Sequence, residues 1–274
     1  EFGAGTLFMI DEKRGPVAEL YQNPHRHSFY EMIWVQAGQG SHNIDFIHHE
    51  FRPGRLYLIA PGQIHQWSES NIHCYMLTFS EALLDKAYRE MLLQGANLFL
   101  ARGSVSYIDL TGSVARRLQQ LISLMQEEYE RDQVDWNLIR PLISAFLYEL
   151  ARLDKQTDER LGHRHHGRVD HLTKLIETYY QEHNSVEFYA SHLNITSKRL
   201  NEICRDMLGK SVSQMIHERL TLEAKRDLSL SQDSVKTISY RLGFQDPSYF
   251  GRFFLREVGQ SPNSFRDDFQ RLVP

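Results

Sequence analysis

Two imidazoles and a carboxylate stand at His25, His27 and Glu31, all on odd-numbered positions, so on one strand they project from the same face. A second segment, from Gly54 through Pro61-Gly62 to His65, adds a third imidazole. Three imidazoles and one carboxylate form a donor set for a divalent ion such as iron, manganese or zinc, which would point to a metal-dependent enzyme. The same groups, with Trp67 beside them and Phe29 and Tyr57 supplying flat apolar walls, also suit a pocket for a small organic molecule. A third reading is structural, with His25 and His27 satisfying buried hydrogen bonds.

Different chemistry lies near the other end. Val186 to Met207 and Val235 to Glu257 resemble one another, each reading as a short helix, a turn and a second helix. A helix-turn-helix needs a small residue where its helices cross and apolar residues that lock the second helix onto the first. The first segment offers Ala190 at the crossing, Asn194-Ile195 at the turn and Leu200 and Ile203 as the lock; the second offers Ser239, Gly243, and Phe250, Phe253 and Phe254, with a turn one residue longer. At 100° per residue, burying Leu200, Ile203, Cys204 and Met207 leaves Lys198, Asn201, Glu202 and Arg205 facing outward. Lys and Arg suit guanine or phosphate, Asn suits adenine, and Glu accepts from cytosine. The second helix presents Ser248, Gly251, Arg252, Leu255 and Arg256, a poorer set that implies one specific arginine contact supported by backbone or shape reading. A charged helix face is often only a solvated one. Two such motifs in series, joined by a helix-length connector from Val212 to Leu228, fit recognition helices set about one DNA turn, roughly 34 Å, apart.

These groups need a scaffold. Between Leu7 and Phe79, short runs rich in Val, Ile, Tyr, Phe and Trp alternate with Gly, Pro and Asn turn signals, predicting a small antiparallel barrel. The period then becomes helical over Ser113–Arg131 and Trp136–Leu153. The first of these helices either covers the barrel or pairs with its copy in a second chain through Leu118, Leu121, Ile122 and Met125. The polar stretch 154–169 reads as an exposed linker, its His163, His165 and His166 as solvated residues. The expected organisation is a sensing barrel over 6–110, a helical pair over 111–153, the linker, and an all-α domain over 170–274.

Composition narrows the class. With 41% hydrophobic and 24% charged residues, and no apolar run near bilayer length, the chain reads as soluble and cytoplasmic, with no membrane partner. Glu1-Phe2-Gly3-Ala4-Gly5 reads as lying outside the folded domains. Cys74 and Cys204 are the only cysteines and fall in different expected domains, so neither a disulfide nor a zinc site is expected of them. From Arg168 onward there are 15 Lys/Arg against 14 Asp/Glu, so affinity for nucleic acid must come from a local patch rather than bulk charge.

The segment Ile238-Ser239-Tyr240-Arg241-Leu242-Gly243-Phe244-Gln245-Asp246-Pro247-Ser248-Tyr249-Phe250-Gly251-Arg252-Phe253-Phe254, followed by Gly259-Gln260-Ser261-Pro262-Asn263-Ser264-Phe265-Arg266, resembles the signature of AraC/XylS-type transcription regulators. His25 to Glu31 with Gly38 resembles the first motif of cupin barrels. The resemblance implies a cupin-like sensing domain and a double helix-turn-helix domain that binds promoter DNA, often as a homodimer, and usually activates transcription with RNA polymerase. By position it places base-reading residues at Lys198, Arg199, Asn201 and Glu202, and at Ser248 and Arg252. It also implies no enzyme and no cofactor: a small organic effector, a carboxylate being one candidate, would bind at His25, His27, Phe29, Glu31, Tyr57, His65 and Trp67. A divalent metal at His25, His27, Glu31 and His65 is the alternative. Another is an effector-independent activator whose barrel only dimerises.

Overall fold

The computed structural model describes residues 7–16, 19–68, 70–84, 99, 107–160 and 166–272. The chain divides into two compact units, Glu1–Arg160 and Leu161–Pro274.

In the first unit, β1 (Phe8–Pro16), β7 (Asn71–Phe79), β2 (Tyr30–Gln39), β5 (Arg55–Ile59) and β8 (Tyr107–Asp109) form one sheet in that order. A smaller sheet has the order β4 (Ile47–Glu50), β3 (Ser41–Ile44), β6 (His65–Trp67). All the pairings are antiparallel. This is the antiparallel, cupin-like sensing fold expected from the strand pattern.

Both faces of the larger sheet are covered at its centre, which is why β5 and the first half of β2 read as nearly continuous apolar runs. Alternation along β2 sends Met32 and Trp34 into a core shared with two helices, α1 (Gly112–Tyr129) and α2 (Trp136–Arg160). Ile33 and Val35 point the other way, into a core with Ile44, Tyr57, Trp67 and Met76. Glu31 is buried on that interior parity.

The helical pair corrects one expectation. Leu118, Ile122 and Met125 are fully buried in the core of their own chain, with Leu121 packed against it, so α1 lays this stripe on the sheet rather than offering it to a second chain. Apolar side chains left exposed on the pair are instead Leu124, Leu138 and Tyr148. The linker expectation is also corrected. Helix α2 runs on to Arg160 and the next helix starts at His166, so most of 154–169 is helical; His163 and His165 lie outside the described residues. A run of polar residues carries no helix-breaking signal of its own, because Lys, Gln, Glu and Arg are good helix formers.

The second unit is α-helical: α3 (His166–Tyr179), α4 (Val186–His192), α5 (Ser197–Leu208), α6 (Val212–Leu230), α7 (Val235–Arg241), α8 (Pro247–Val258) and α9 (Pro262–Leu272). Side chains of Ser185, Thr196, Ser234 and Asp246 accept from backbone N–H groups in the first turns of α4, α5, α7 and α8, and Ser211 with Gln214 forms a capping box on α6. Gly209 and Gly259 end α5 and α8 in the left-handed conformation. Helix α6 runs through the middle, burying Val212, Ile216, Leu220, Ala224 and Leu228 among residues of both helix-turn-helix motifs.

Candidate functional site

Each helix-turn-helix is built as its sequence dictates. Ala190 and Ser239 are buried where the helices cross, and the Ser239 hydroxyl donates to the Lys236 carbonyl. Asn194 takes the turn at φ 53°, a left-handed conformation that Asn tolerates better than most residues. Gly243 takes the other at φ 85°, and here glycine is required twice over, because an added Cβ would lie 1.9 Å from the Gln181 carbonyl oxygen.

Leu200, Ile203 and Cys204 lock α5, and Phe250, Phe253 and Phe254 lock α8, all buried. Burial pushes the Cys204 thiol up to about 11, consistent with a packing residue rather than a reactive one. On α5, Lys198, Arg199 and Arg205 are exposed, and Arg199 pairs with Glu202 at 3.1 Å. Asn201 departs from expectation: its Oδ1 accepts from the Val212 N–H at 3.0 Å and its Nδ2 donates to the Ser197 carbonyl at 3.1 Å. Its amide holds the start of α6 onto α5. On α8, Ser248, Arg252 and Arg256 are exposed. The Arg256 guanidinium donates twice to Glu257 and lies over the Phe253 ring, whereas the nearest carboxylate oxygen to Arg252 is on Asp246, 4.0 Å away. Tyr249, half exposed beside Arg252, was not singled out from sequence; its aromatic character reads equally well as core.

In the barrel, the interior gathers the residues expected to bind an effector. The His25 and His65 rings lie 4.2 Å apart, centre to centre, and their backbones are joined by a pair of hydrogen bonds. His27 stacks on Phe29 at 3.9 Å. Glu31 Oε2 lies 3.6 Å from His27 Nε2 and 3.7 Å from His65 Nδ1. Behind His65 stands His42, which spacing arguments missed because its strand, β3, carries no motif; its Nε2 is 3.0 Å from His65 Nδ1. Trp67 and Tyr57 pack around His42, and Tyr21 stacks on Trp67. Burial, reinforced by the neighbouring imidazoles, holds His42 and His65 well below the ordinary histidine range, so both are neutral at physiological pH. Among the described residues, His27 Nε2, Glu31 Oε2, His65 Nε2 and Trp67 Nε1 are buried with no hydrogen-bond partner. Such concentrated unsatisfied polarity is costly unless something else occupies the site. Residues 85–98, 100–106 and 161–165 lie outside the described residues.

No helix among the described residues is long and apolar enough to cross a membrane.

Comparison with known proteins agrees with both units. Residues 16–151 match the AraC-like ligand binding domain, and residues 189–268 match a helix-turn-helix domain family. The HTH-type transcriptional activator RhaS of Escherichia coli (strain SMS-3-5 / SECEC) is 23% identical over 97% of this chain and 94% of its own. RhaS of Yersinia pestis bv. Antiqua (strain Angola) is 24% identical over 97% and 96%. Among solved structures, ToxT from Vibrio cholerae aligns over 95% of this chain and 98% of its own with 12% identity and a TM-score of 0.46. The C-terminal domain of the response regulator yesN from Fusobacterium nucleatum aligns over 35% and 93% with 20% identity and a TM-score of 0.33. With a ligand-binding domain of this type joined to two helix-turn-helix motifs, the chain belongs to the AraC family of DNA-binding transcription regulators, a family of regulators and not of enzymes.

Proposed function

We propose that this regulator is a cytoplasmic activator that binds promoter DNA as a homodimer, contacts RNA polymerase, and is controlled by a small organic effector held inside the barrel. The observation that carries the DNA reading is the pair of recognition helices, α5 and α8, packed on a shared helix α6 of about 28 Å with cationic side chains left on their outer faces. Lys198, Arg199 and Arg205 form the contact set of α5, with Glu202 orienting Arg199, and Ser248, Arg252 and Arg256 form that of α8. Arg252, the less engaged of the two α8 arginines, is the base reader; Arg256 supports it from its pairing with Glu257.

The effector occupies the interior at His25, His27, Glu31, His65 and Trp67, with Phe29 and Tyr57 as apolar walls, and shifts the dimer between arrangements on its half-sites. The imidazoles and an indole N–H offer hydrogen bonds to such a ligand. A carboxylate on it, placed directly against Glu31, would meet like charge.

The test is selection of duplexes from a random-sequence pool by the full chain. One enriched motif is expected, and Arg252→Ala should weaken binding to it by about 1–3 kcal/mol while changing unselected DNA far less. Failure to enrich any motif would refute sequence-specific binding, and unchanged affinity of the variant would remove Arg252 from the reading set.

A further inference from the structure

Strand β8 is an edge strand of the larger sheet and β4 an edge strand of the smaller one, and between them side chains rather than backbone pairing make the contact. Along β4, exposed Glu50 and His48 flank His49, which is buried and faces inward opposite His42. Along β5, Arg55 shares the inward parity of Tyr57 and Ile59, and the register sets Arg55 beside Asp109 and Tyr57 beside Tyr107 of β8. The His49 ring lies 5.9 Å from that of Tyr107 and 6.2 Å from that of Tyr57. The Arg55 guanidinium lies over the Tyr107 ring at 3.6 Å.

This end of the interior is the chemical opposite of the Glu31 end. Arg55 is only 8% exposed, and an arginine so buried needs partners. Its Nε donates to Asp109 at 2.9 Å, but that carboxylate stands at the rim, its side chain 63% exposed. A guanidinium carries five N–H donors in a planar fork that matches a carboxylate, so one such contact leaves it capacity for another. His49 is 7% exposed, and its Nε2 is buried with no hydrogen-bond partner among the described residues. Burial, with the Arg55 charge nearby, holds its pKa below the ordinary histidine value, so the neutral ring keeps one N–H to donate. His42 connects the two ends, its ring 6.0 Å from Tyr57 and 5.2 Å from His65.

We infer that Arg55 and His49 form an anion subsite for a carboxylate of the effector, walled by Tyr57 and Tyr107, with a hydrogen-bond-donating end of the same molecule turned toward Glu31. The donor end follows from Glu31 Oε2, a buried acceptor without a partner, which a hydroxyl or an ammonium satisfies. This assignment rests on the effector reading and gives the ligand a class and a direction: an organic acid bearing a hydroxyl or amino group at its far end. Asp109 competes with that acid for the same guanidinium.

The experiment measures binding of 6-hydroxyhexanoate, 6-aminohexanoate and 4-(hydroxymethyl)benzoate, each against its primary amide, to the full chain by calorimetry and native mass spectrometry. At least one acid should bind, and its amide should bind at least about tenfold more weakly. Arg55→Gln should weaken the acid about 10–100-fold and leave the amide unchanged. Asp109→Asn should act in the opposite direction, tightening the acid about 2–5-fold, whereas a merely structural Arg55–Asp109 pair predicts losses in both variants. If Arg55→Gln fails to fold, Asp109→Asn decides alone, tightening supporting the subsite and unchanged or weaker binding refuting it. An acid preference that survives Arg55→Gln, or amides bound as tightly as acids and lost with His65→Gln, would overturn the subsite and leave an effector in the barrel. Binding of none of the probes would overturn the assigned class, and the effector reading falls with it only if neutral sugars and simple amines at the same concentrations also fail to bind.

Discussion

Asn201 and Val212 are joined by a hydrogen bond of 3.0 Å from the Val212 N–H to the Asn201 side-chain oxygen, so a residue on the outward face of a recognition helix caps the helix that follows. Val212 is the first residue of α6, where backbone donors lack a partner within the helix. Asn201→Ala should therefore destabilise the second unit by about 1–2 kcal/mol. Base preference in a selected-duplex competition should stay as in the parent. A change of preferred base without loss of stability in urea unfolding would return Asn201 to the reading set.

The helical pair yields a contrast between a buried and an exposed apolar side chain. Leu118 is fully buried against the sheet, and Leu118→Ala should cost about 2–5 kcal/mol through lost transfer and a cavity. Tyr148, 52% exposed on α2, should tolerate Glu within about 0.5 kcal/mol. Under the homodimer reading, Tyr148→Glu and Leu138→Glu should shift sedimentation toward the monomer. A dimer unaffected by both, in chains whose unfolding midpoint is unchanged, would place the interface elsewhere.

How much of this was readable beforehand follows from how local each signal is. The lock residues Leu200, Ile203, Phe250 and Phe254 declare themselves by helical spacing, and the turn at Gly243 by its residue type, because these constraints act within a few residues. His25, His27, Glu31 and His65 were found by their motif spacing, although the expected single strand is not formed: Glu31 lies on β2 and His65 on β6, while His25 and His27 precede β2, His25 held to His65 by an isolated bridge. His42 was not, since it joins His65 only through the pairing of β3 with β6, a contact between residues far apart in sequence. The same limit explains Leu118, Ile122 and Met125. An amphipathic stripe states that something apolar covers it, and only the tertiary fold decides between its own sheet and a partner chain. The Asn201–Val212 bond was not legible because an outward-facing amide looks alike in sequence whether its partner is a base or a neighbouring helix start.

Gly251 sits inside α8 on the side that carries Ser248 and Arg252, and a Cβ added there would meet nothing within 4 Å. Its φ is not in the left-handed region, so neither backbone strain nor packing within the chain calls for glycine. Glycine inside a helix costs roughly 1 kcal/mol relative to alanine. Gly251→Ala should therefore raise the unfolding midpoint. On the DNA-contact reading of α8, it should also weaken binding to the selected duplex, because the added methyl group stands where the groove wall approaches. Higher stability with undiminished affinity would show that DNA keeps its distance at this position.

Acid should weaken the second unit through Glu223. Burial alone would raise its pKa, but Arg219 and Arg226, at 2.9 and 3.0 Å, overcome that and hold it below the ordinary carboxylate value. A carboxylate with a lowered folded-state pKa contributes stability that is complete above the unfolded value near 4.5 and is lost as pH falls through the folded-state value. Urea midpoints of the helical unit should therefore fall below about pH 4.5. Glu223→Gln should lower stability at pH 7 by about 1–3 kcal/mol, since it takes one ionic acceptor from Arg219, which keeps Glu177 at 2.7 Å, and one from Arg226, and should flatten the acid limb. The sign of the second effect is the decisive one: an acid limb as steep in the variant as in the parent would assign the sensitivity to other carboxylates.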